Sequence, residues 1–304
     1  MRNNKLKFAT IVVAFAASCA ILPTSSLHAQ SNEANRKALL AADRAFAKSA
    51  EGGDVIEAIA GMMSDSVTLI ALGDLFHGIP KVREALSRNS DNVKSKYSWS
   101  PLYGEVSADG KTGFTLGFTM LKKSDNSEVP GKYVAYWTKG ASGWKVLVYK
   151  RTARAAGDVS MTEEPGPKTV ASAAKFTSVD STRFAAELDK TERDFSTLSA
   201  KIGLGAAFTQ NSAVDGHHSG GAGDAGFRHG PADIGAGISS GGEPPLGSFS
   251  WGPDVVYVAG SGDIGITLGF INIAGADGKP PRKTSYLTVW KRASVKDPWK
   301  LAIE

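Results

Sequence analysis

Residues 98–118 and 250–270 carry one pattern twice, first as SWSPLYGEVSADGKTGFTLGF and then as SWGPDVVYVAGSGDIGITLGF. At a constant shift of 152, Trp99 falls on Trp251, Pro101 on Pro253 and Gly113 on Gly265. The run Thr115-Leu116-Gly117-Phe118 falls on Thr267-Leu268-Gly269-Phe270. A gapless match of that density marks a tandem duplication. Whatever one copy folds into, the other must be able to fold into as well.

The N-terminus stands outside the repeat. Arg2, Lys5 and Lys7 precede an apolar run from Phe8 to Leu22, which Pro23 stops. The run falls short of the roughly 20 residues a membrane-spanning helix needs. With the small residues of Thr24 to Ala29 it reads as a signal peptide over residues 1–29, cleaved after Ala29, which implies an exported, periplasmic or secreted protein. Without its three basic residues, the formal charge of +5 falls to about +2. That balance gives no basis for nucleic-acid binding. Cys19, the only cysteine, lies in the same segment, so the exported chain has no disulfide, thiol nucleophile or zinc–thiolate site. Ala16 stands where a lipoprotein processing site usually carries Leu, so Cys19 is read as part of the signal and not as a lipid anchor.

Two domains are expected, over residues 34–152 and 181–304, joined by a polar connector over 153–180 that contains Pro165-Gly166-Pro167. In the first copy Leu39, Ala42, Asp43, Phe46 and Ala50 recur at helical spacing, giving an apolar stripe with an acid inside it. A second helix is expected over 55–63, a strand over 67–72, and a third helix over 81–88 after Gly78 and Pro80. Strands follow, with Asp109-Gly110 as a hairpin signal. Leu188, Glu192, Phe195 and Ser199 repeat the acid-bearing stripe in the second copy. There the helix after Pro231 contains Gly235 and Gly237, each costing about 1 kcal/mol against Ala, so it should be short, frayed or held by packing.

The order of helix with embedded acid, short strand, glycine turn, helix and antiparallel strands is carried by Asp43-Arg44-Ala45-Phe46, Asp65-Ser66-Val67, Gly78, Trp99, Gly113 to Gly117, Tyr133 to Trp137 and Gly143-Trp144-Lys145. Glu192-Arg193-Asp194-Phe195, Trp251, Gly265 to Gly269, Tyr286 to Trp290 and Trp299-Lys300 carry it again. This pattern resembles the nuclear-transport-factor-two-like superfold, in particular its SnoaL-like and ketosteroid-isomerase-like families. The resemblance implies an α+β fold in two tandem cones, each a strongly curved antiparallel sheet wrapped around N-terminal helices. It also implies a pocket in each cone and sheet-to-sheet packing of the copies as an intramolecular pseudo-dimer, with further self-association left open.

Two residue types stand out as chemical candidates. Asp43, with Glu192 as its counterpart, becomes a general acid or base if buried in a cone, and a boundary ion pair with Arg44 or Arg193 if not. His77 and His229 precede the turn glycine in both copies, as pocket acid–base groups or as turn residues. Trp99, Tyr103, Trp137 and Trp251 are candidate ligand-lining aromatics, and equally candidate core. His217, His218, Asp224 and His229 have metal-ligand chemistry, but adjacent histidines do not face one centre, so no metal and no cofactor are expected. The sequence leaves three readings. The first is binding of a small apolar or amphipathic molecule in the first cone, with the glycine-rich second cone the weaker pocket. The others are isomerase, cyclase or hydratase-like chemistry at Asp43, and a non-catalytic scaffold. Fold alone does not choose among them.

Overall fold

The computed structural model describes residues 24–167, 178–275 and 280–304. The expected signal segment up to residue 23, with Cys19, and residues 168–177 of the expected connector lie outside them. In the first copy the elements are α1 (Thr24–Ala50), α2 (Val55–Gly61), β1 (Met63–Ala71), β2 (Asp74–His77) and α3 (Ile79–Ser87). They are followed by β3 (Lys96–Val106), β4 (Thr112–Lys122), β5 (Glu128–Gly140) and β6 (Gly143–Ala153). In the second copy they are α4 (Ser178–Ile202), α5 (Leu204–Asn211), β7 (Ser212–His218), β8 (Arg228–His229) and α6 (Gly230–Ser240). The chain then continues through β9 (Phe249–Val258), β10 (Ile264–Ile273), β11 (Arg282–Lys291) and β12 (Lys300–Ile303).

Each copy builds one six-stranded sheet, in the orders β2-β1-β6-β5-β4-β3 and β8-β7-β12-β11-β10-β9. The two orders are identical strand for strand, so the duplication is one of topology as well as sequence. The last four strands of each copy form an antiparallel meander. The first strand closes parallel on the last, β1 on β6 and β7 on β12. Sequence reasoning anticipated this α+β order but not β2, a four-residue strand entered through Leu72 and Gly73 at positive φ.

Local chemistry explains the elements. Asp54 caps α2, its side chain accepting from the N–H groups of Ile56 and Glu57. Pro80 lies in the first turn of α3, where its missing N–H costs least. The register of β3 on β4 shifts between Pro101 and Tyr103, and that of β9 on β10 shifts between Leu268 and Gly269. Opposite each shift is a strand glycine. A Cβ on Gly117 would lie 2.1 Å from the Ser100 carbonyl oxygen, and one on Gly269 would lie 2.5 Å from that of Gly252. The repeated glycine is therefore a requirement of the bend that gives each sheet its cone shape.

The second copy's glycine-dense helix is held by packing. A Cβ on Gly235 would meet the Thr209 hydroxyl oxygen at 1.9 Å and the Gly205 carbonyl at 2.6 Å. The missing side chains thus let α5 and α6 cross backbone to backbone, which offsets the propensity cost.

The copies pack sheet against sheet. Leu102, Phe114, Leu116 and Tyr136 of the first share one buried cluster with Ile266, Leu268, Leu287 and Val289 of the second. Polar groups fix the register of this interface. The Lys291 ammonium donates to Glu105 at 2.5 Å and pairs with Asp215 at 2.8 Å. Although burial opposes it, these carboxylates hold Lys291 above the usual lysine range. The Asp109 N–H donates to the Ser261 hydroxyl, and these two residues are counterparts at the 152-residue shift. Equivalent residues meet only on an axis of pseudo-two-fold symmetry, so the hairpins β3–β4 and β9–β10 mark that axis. The described part of the connector is mostly exposed but anchored at its end. Glu163 accepts from Arg36 at 2.9 Å, and the Glu164 N–H donates to the Leu102 carbonyl at 2.8 Å.

Candidate functional site

Asp43 and Glu192 are fully buried, each clasped by aromatic donors. Trp99 Nε1 donates to one oxygen of Asp43 and the Tyr133 hydroxyl to the other, both at 2.7 Å. Glu192 accepts from Trp251 Nε1 at 2.5 Å, from Trp290 Nε1 at 2.9 Å and from the Thr267 hydroxyl. Burial raises both carboxyl groups above their ordinary range, against the pull of these donors. The ion pair weighed for Asp43 is not its main environment, because neutral donors take up both oxygens. Arg44 pairs with Glu163 instead, and Arg193 with Asp189. The clasp ties the first helix of each copy to its curved sheet.

The interior of the first cone is filled by aromatic side chains. The hydroxyls of Tyr97 and Tyr149 meet at 2.9 Å, and the Arg151 guanidinium lies over the Tyr97 ring while donating to Asn92. What remains is a hollow of about 310 Å³ at the mouth, bordered by Tyr97, Asn92, Thr119 and Arg151. Asp43, Trp99, Tyr103 and Trp137 do not border it. Trp99 and Trp137 are core residues, with Trp137 Nε1 donating to the Thr115 hydroxyl at 2.8 Å. Tyr103 faces the other copy, its hydroxyl donating to Glu105.

The larger hollow is in the second cone, which corrects the expectation that this copy holds the weaker pocket. It measures about 610 Å³ and is bordered by Phe208, His218, Ile238, Phe249, Trp251, Ile271, Ile273, Tyr286 and Glu304. The physical reason is a pair of substitutions. Phe249 is the counterpart of Tyr97 at the shift of 152. Counting from the paired Trp144 and Trp299, Glu304 occupies the place of Tyr149. A phenol pair that fills one cone is replaced by a phenyl ring and a shorter carboxyl group in the other.

The walls of this hollow combine apolar surface with a few polar groups. Burial, reinforced by Glu192 and opposed by Lys150 of the first copy, pushes the Glu304 carboxyl up to about 8. Burial and the Lys150 and Arg228 charges push His218 down to about 4. Its Nδ1 accepts from the Gly220 N–H at 2.9 Å, which leaves the proton of the neutral ring on Nε2. The Tyr286 hydroxyl is buried and has no hydrogen-bond partner among the described residues. Trp251 is the one expected ligand residue that borders the hollow, and Glu192 lies behind its indole.

The two pre-glycine histidines have different settings. His77 Nδ1 pairs with the Thr68 hydroxyl at 3.0 Å across β1 and β2. His229 lies opposite His217 across β7 and β8, beside Glu164. Neither borders a cone hollow. Sequence reasoning missed Glu304, Tyr286 and His218 as wall residues. A further crevice of about 540 Å³ runs between the copies past Arg36, Glu105, Asp215 and Lys291, and it ends at Pro167 beside residues outside the described set.

No family model matches the chain, and no curated protein matches it. Solved structures do. One is an NTF2-like protein with a cystatin-like fold from Novosphingobium aromaticivorans, at 10% identity, covering 43% of this chain and 86% of that one with a TM-score of 0.33. Another is a ketosteroid isomerase-like protein from Erwinia carotovora atroseptica, at 15% identity, covering 40% and 93% with a TM-score of 0.30. A third is an NTF2-like protein of unknown function from Pseudomonas putida, at 10% identity, covering 39% and 86% with a TM-score of 0.33. Each match spans a part of this chain about the size of one copy. The likeness is one of fold alone. Within the chain itself, two copies of one α+β topology stand in tandem.

Proposed function

We propose that the protein is an exported small-molecule-binding protein whose ligand occupies the second cone. The observation that carries this reading is the exchange of the Tyr97–Tyr149 pair for Phe249 and Glu304, which accompanies a cavity of about 610 Å³ where the first cone leaves about 310 Å³. That volume suits a molecule of two or three rings. The apolar wall formed by Phe208, Ile238, Ile271 and Ile273 favours a largely apolar body. Neutral His218 and a protonated Glu304 at pH 7 favour an uncharged ligand bearing an oxygen acceptor. A wall residue with an unpartnered hydroxyl, Tyr286, supports the same choice, because a buried donor left unmade costs about 1–3 kcal/mol.

Acid–base catalysis is the second reading, and Glu304 favours it. A carboxyl group held protonated near neutral pH is suited to general-acid chemistry. Asp43, the acid that sequence reasoning put forward, has both oxygens engaged in the core and borders neither cone hollow.

Titration with 2-naphthol, followed by quenching of tryptophan fluorescence, tests the binding reading. Saturable binding is expected, abolished by Ile271→Trp in the second cone and unchanged by Thr119→Trp at the equivalent place in the first. Absence of saturable binding, or its loss in the Thr119 variant alone, would overturn the proposal. Export is tested separately by N-terminal sequencing of protein collected outside the cytoplasm. The expected first residue is Gln30, and retention of Met1 would refute cleavage.

A further inference from the structure

We propose that Glu164, His217 and His229 form a divalent-metal site that takes zinc. Among the described residues this is a cluster in which three metal-ligating side chains converge, with one donor atom from each lying within 4.8 Å of the others. Three separate stretches of chain supply them. Glu164 comes from the segment after the first copy, fixed by its backbone bond to Leu102. His217 and His229 come from β7 and β8, where they are directly paired across the two strands. Direct cross-strand neighbours project to the same face of a sheet, so the ladder itself brings the two imidazoles together. Their ring centroids are 4.8 Å apart.

The two separations from Glu164 bracket what zinc requires. Zinc–nitrogen and zinc–oxygen bonds of about 2.0–2.2 Å in a tetrahedron place donor atoms ~3.3 Å apart. Here Glu164 Oε2 lies 2.9 Å from His217 Nε2 and 3.9 Å from His229 Nδ1, on either side of that value. The three donor atoms together lie within 4.8 Å of one another, so an ion would draw the two imidazoles toward Glu164. The Tyr103 ring packs on His217 at 4.5 Å between centroids and holds it in place, while His229 remains half-exposed. One coordination position therefore opens to solvent and would hold water.

The alternation of β7 also removes the difficulty that adjacent histidines presented. His217 and His218 project to opposite faces, the first to this cluster and the second to the wall of the second cone. Asp224, which sequence spacing placed beside them, is committed elsewhere, to Arg228 at 2.6 Å and the Gly221 N–H at 2.9 Å. The carboxylate that completes the set is Glu164, 53 residues before His217 and inside the connector.

Affinity should be moderate. With zinc on Nε2, the His217 proton moves to Nδ1, which has no partner among the described residues. A metal-bound histidine usually donates that proton to a fixed acceptor, and its lack typically weakens binding about 10–100-fold. A dissociation constant of about 1 µM is expected at pH 7.5. The ion would tie the connector to the second copy's first hairpin.

The test uses protein stripped with EDTA, desalted and titrated with zinc chloride against a competing chelator. One equivalent is expected to bind, with a rise in Tm, and cobalt(II) should give visible absorption bands of a low-coordinate nitrogen–oxygen site. His229→Ala and Glu164→Gln should each weaken zinc binding roughly 100-fold, while His77→Ala leaves it unchanged. His229 is half-exposed, so its alanine variant should retain its far-ultraviolet circular dichroism. No stoichiometric binding at about 100 µM zinc, or equal affinity in wild type and a folded His229→Ala variant, would overturn the site.

Discussion

Replacing Asp43 separates a catalytic carboxylate from a structural one. In Asp43→Ala, Trp99 Nε1 and the Tyr133 hydroxyl lose the buried acceptor they share at 2.7 Å. Each buried donor left unmade costs about 1–3 kcal/mol, so the variant should lose roughly 2–6 kcal/mol. That is a large fraction of the ~5–15 kcal/mol that holds a typical domain together. Asp43→Asn keeps the shape and one acceptor oxygen, and its amide can donate to a Tyr133 hydroxyl turned acceptor. The two variants should therefore differ by several kcal/mol, far beyond what loss of a surface charge produces. The pH dependence adds a second constraint. Burial holds the folded pKa of Asp43 above the unfolded value near 3.8, so the fold retains the proton better than the unfolded chain does. That contribution is complete below about pH 3.8 and is lost as pH rises through the folded pKa. Asp43→Asn should accordingly gain on wild type as pH rises from 4 to 8. Urea unfolding followed by tryptophan fluorescence, run at both pH values, measures all three proteins. An alanine variant within about 1 kcal/mol of wild type would refute the clasp, as would an asparagine variant that falls as far as alanine. Binding of 2-naphthol should be the same in Asp43→Asn and wild type.

Glu304 supplies a pH signature in the second cone. Its folded pKa of about 8 exceeds the usual 4.5, so its contribution to stability is complete below pH 4.5 and is lost as pH rises through 8. Glu304→Gln should flatten that part of a Tm-against-pH profile, and an unchanged profile would show the carboxyl to be solvated. Lys291→Ala should cost about 3–5 kcal/mol by leaving Glu105 and Asp215 without their shared ammonium across the interface. A loss under ~1 kcal/mol in urea titrations would mean this ion pair does not hold the copies together. Gly235→Ala should lower Tm although alanine favours helices, because overpacking costs about 1–3 kcal/mol against a propensity gain of ~1. A higher Tm would contradict the close helix crossing.

Much of the architecture was legible because it rests on residues that tolerate few alternatives. The Thr-Leu-Gly-Phe runs mark a sheet bend that admits no Cβ, and the Trp99 and Trp251 indoles mark an acid clasp. Both features rest on residue types that few others can replace, so they stay recognisable in both copies even though the acid and its indole lie 56 residues apart in one and 59 in the other. The cavity was illegible for the opposite reason. Glu304 acquires meaning only beside Tyr149, and the offset between the copies slips from 152 at Trp99 to 155 at Trp144. The connector hid Glu164 in the same way, since a carboxylate in a polar stretch is ordinary until a distant hairpin is brought against it. Likewise β2 is too short to carry a periodic signal, yet His229 reaches its partner through the equivalent strand.

The axis that runs between Asp109 and Ser261 has an evolutionary consequence. In a dimer of identical chains every substitution is made twice, so hollowing one cone hollows both and weakens the assembly at two places at once. Fusion breaks that bond. Once both halves are written in one chain, the first cone can keep its phenol pair and serve as ballast, while the second exchanges the same two positions for open space. The asymmetry between a filled cone and a hollow one is open to a covalently joined pair and closed to a symmetric one.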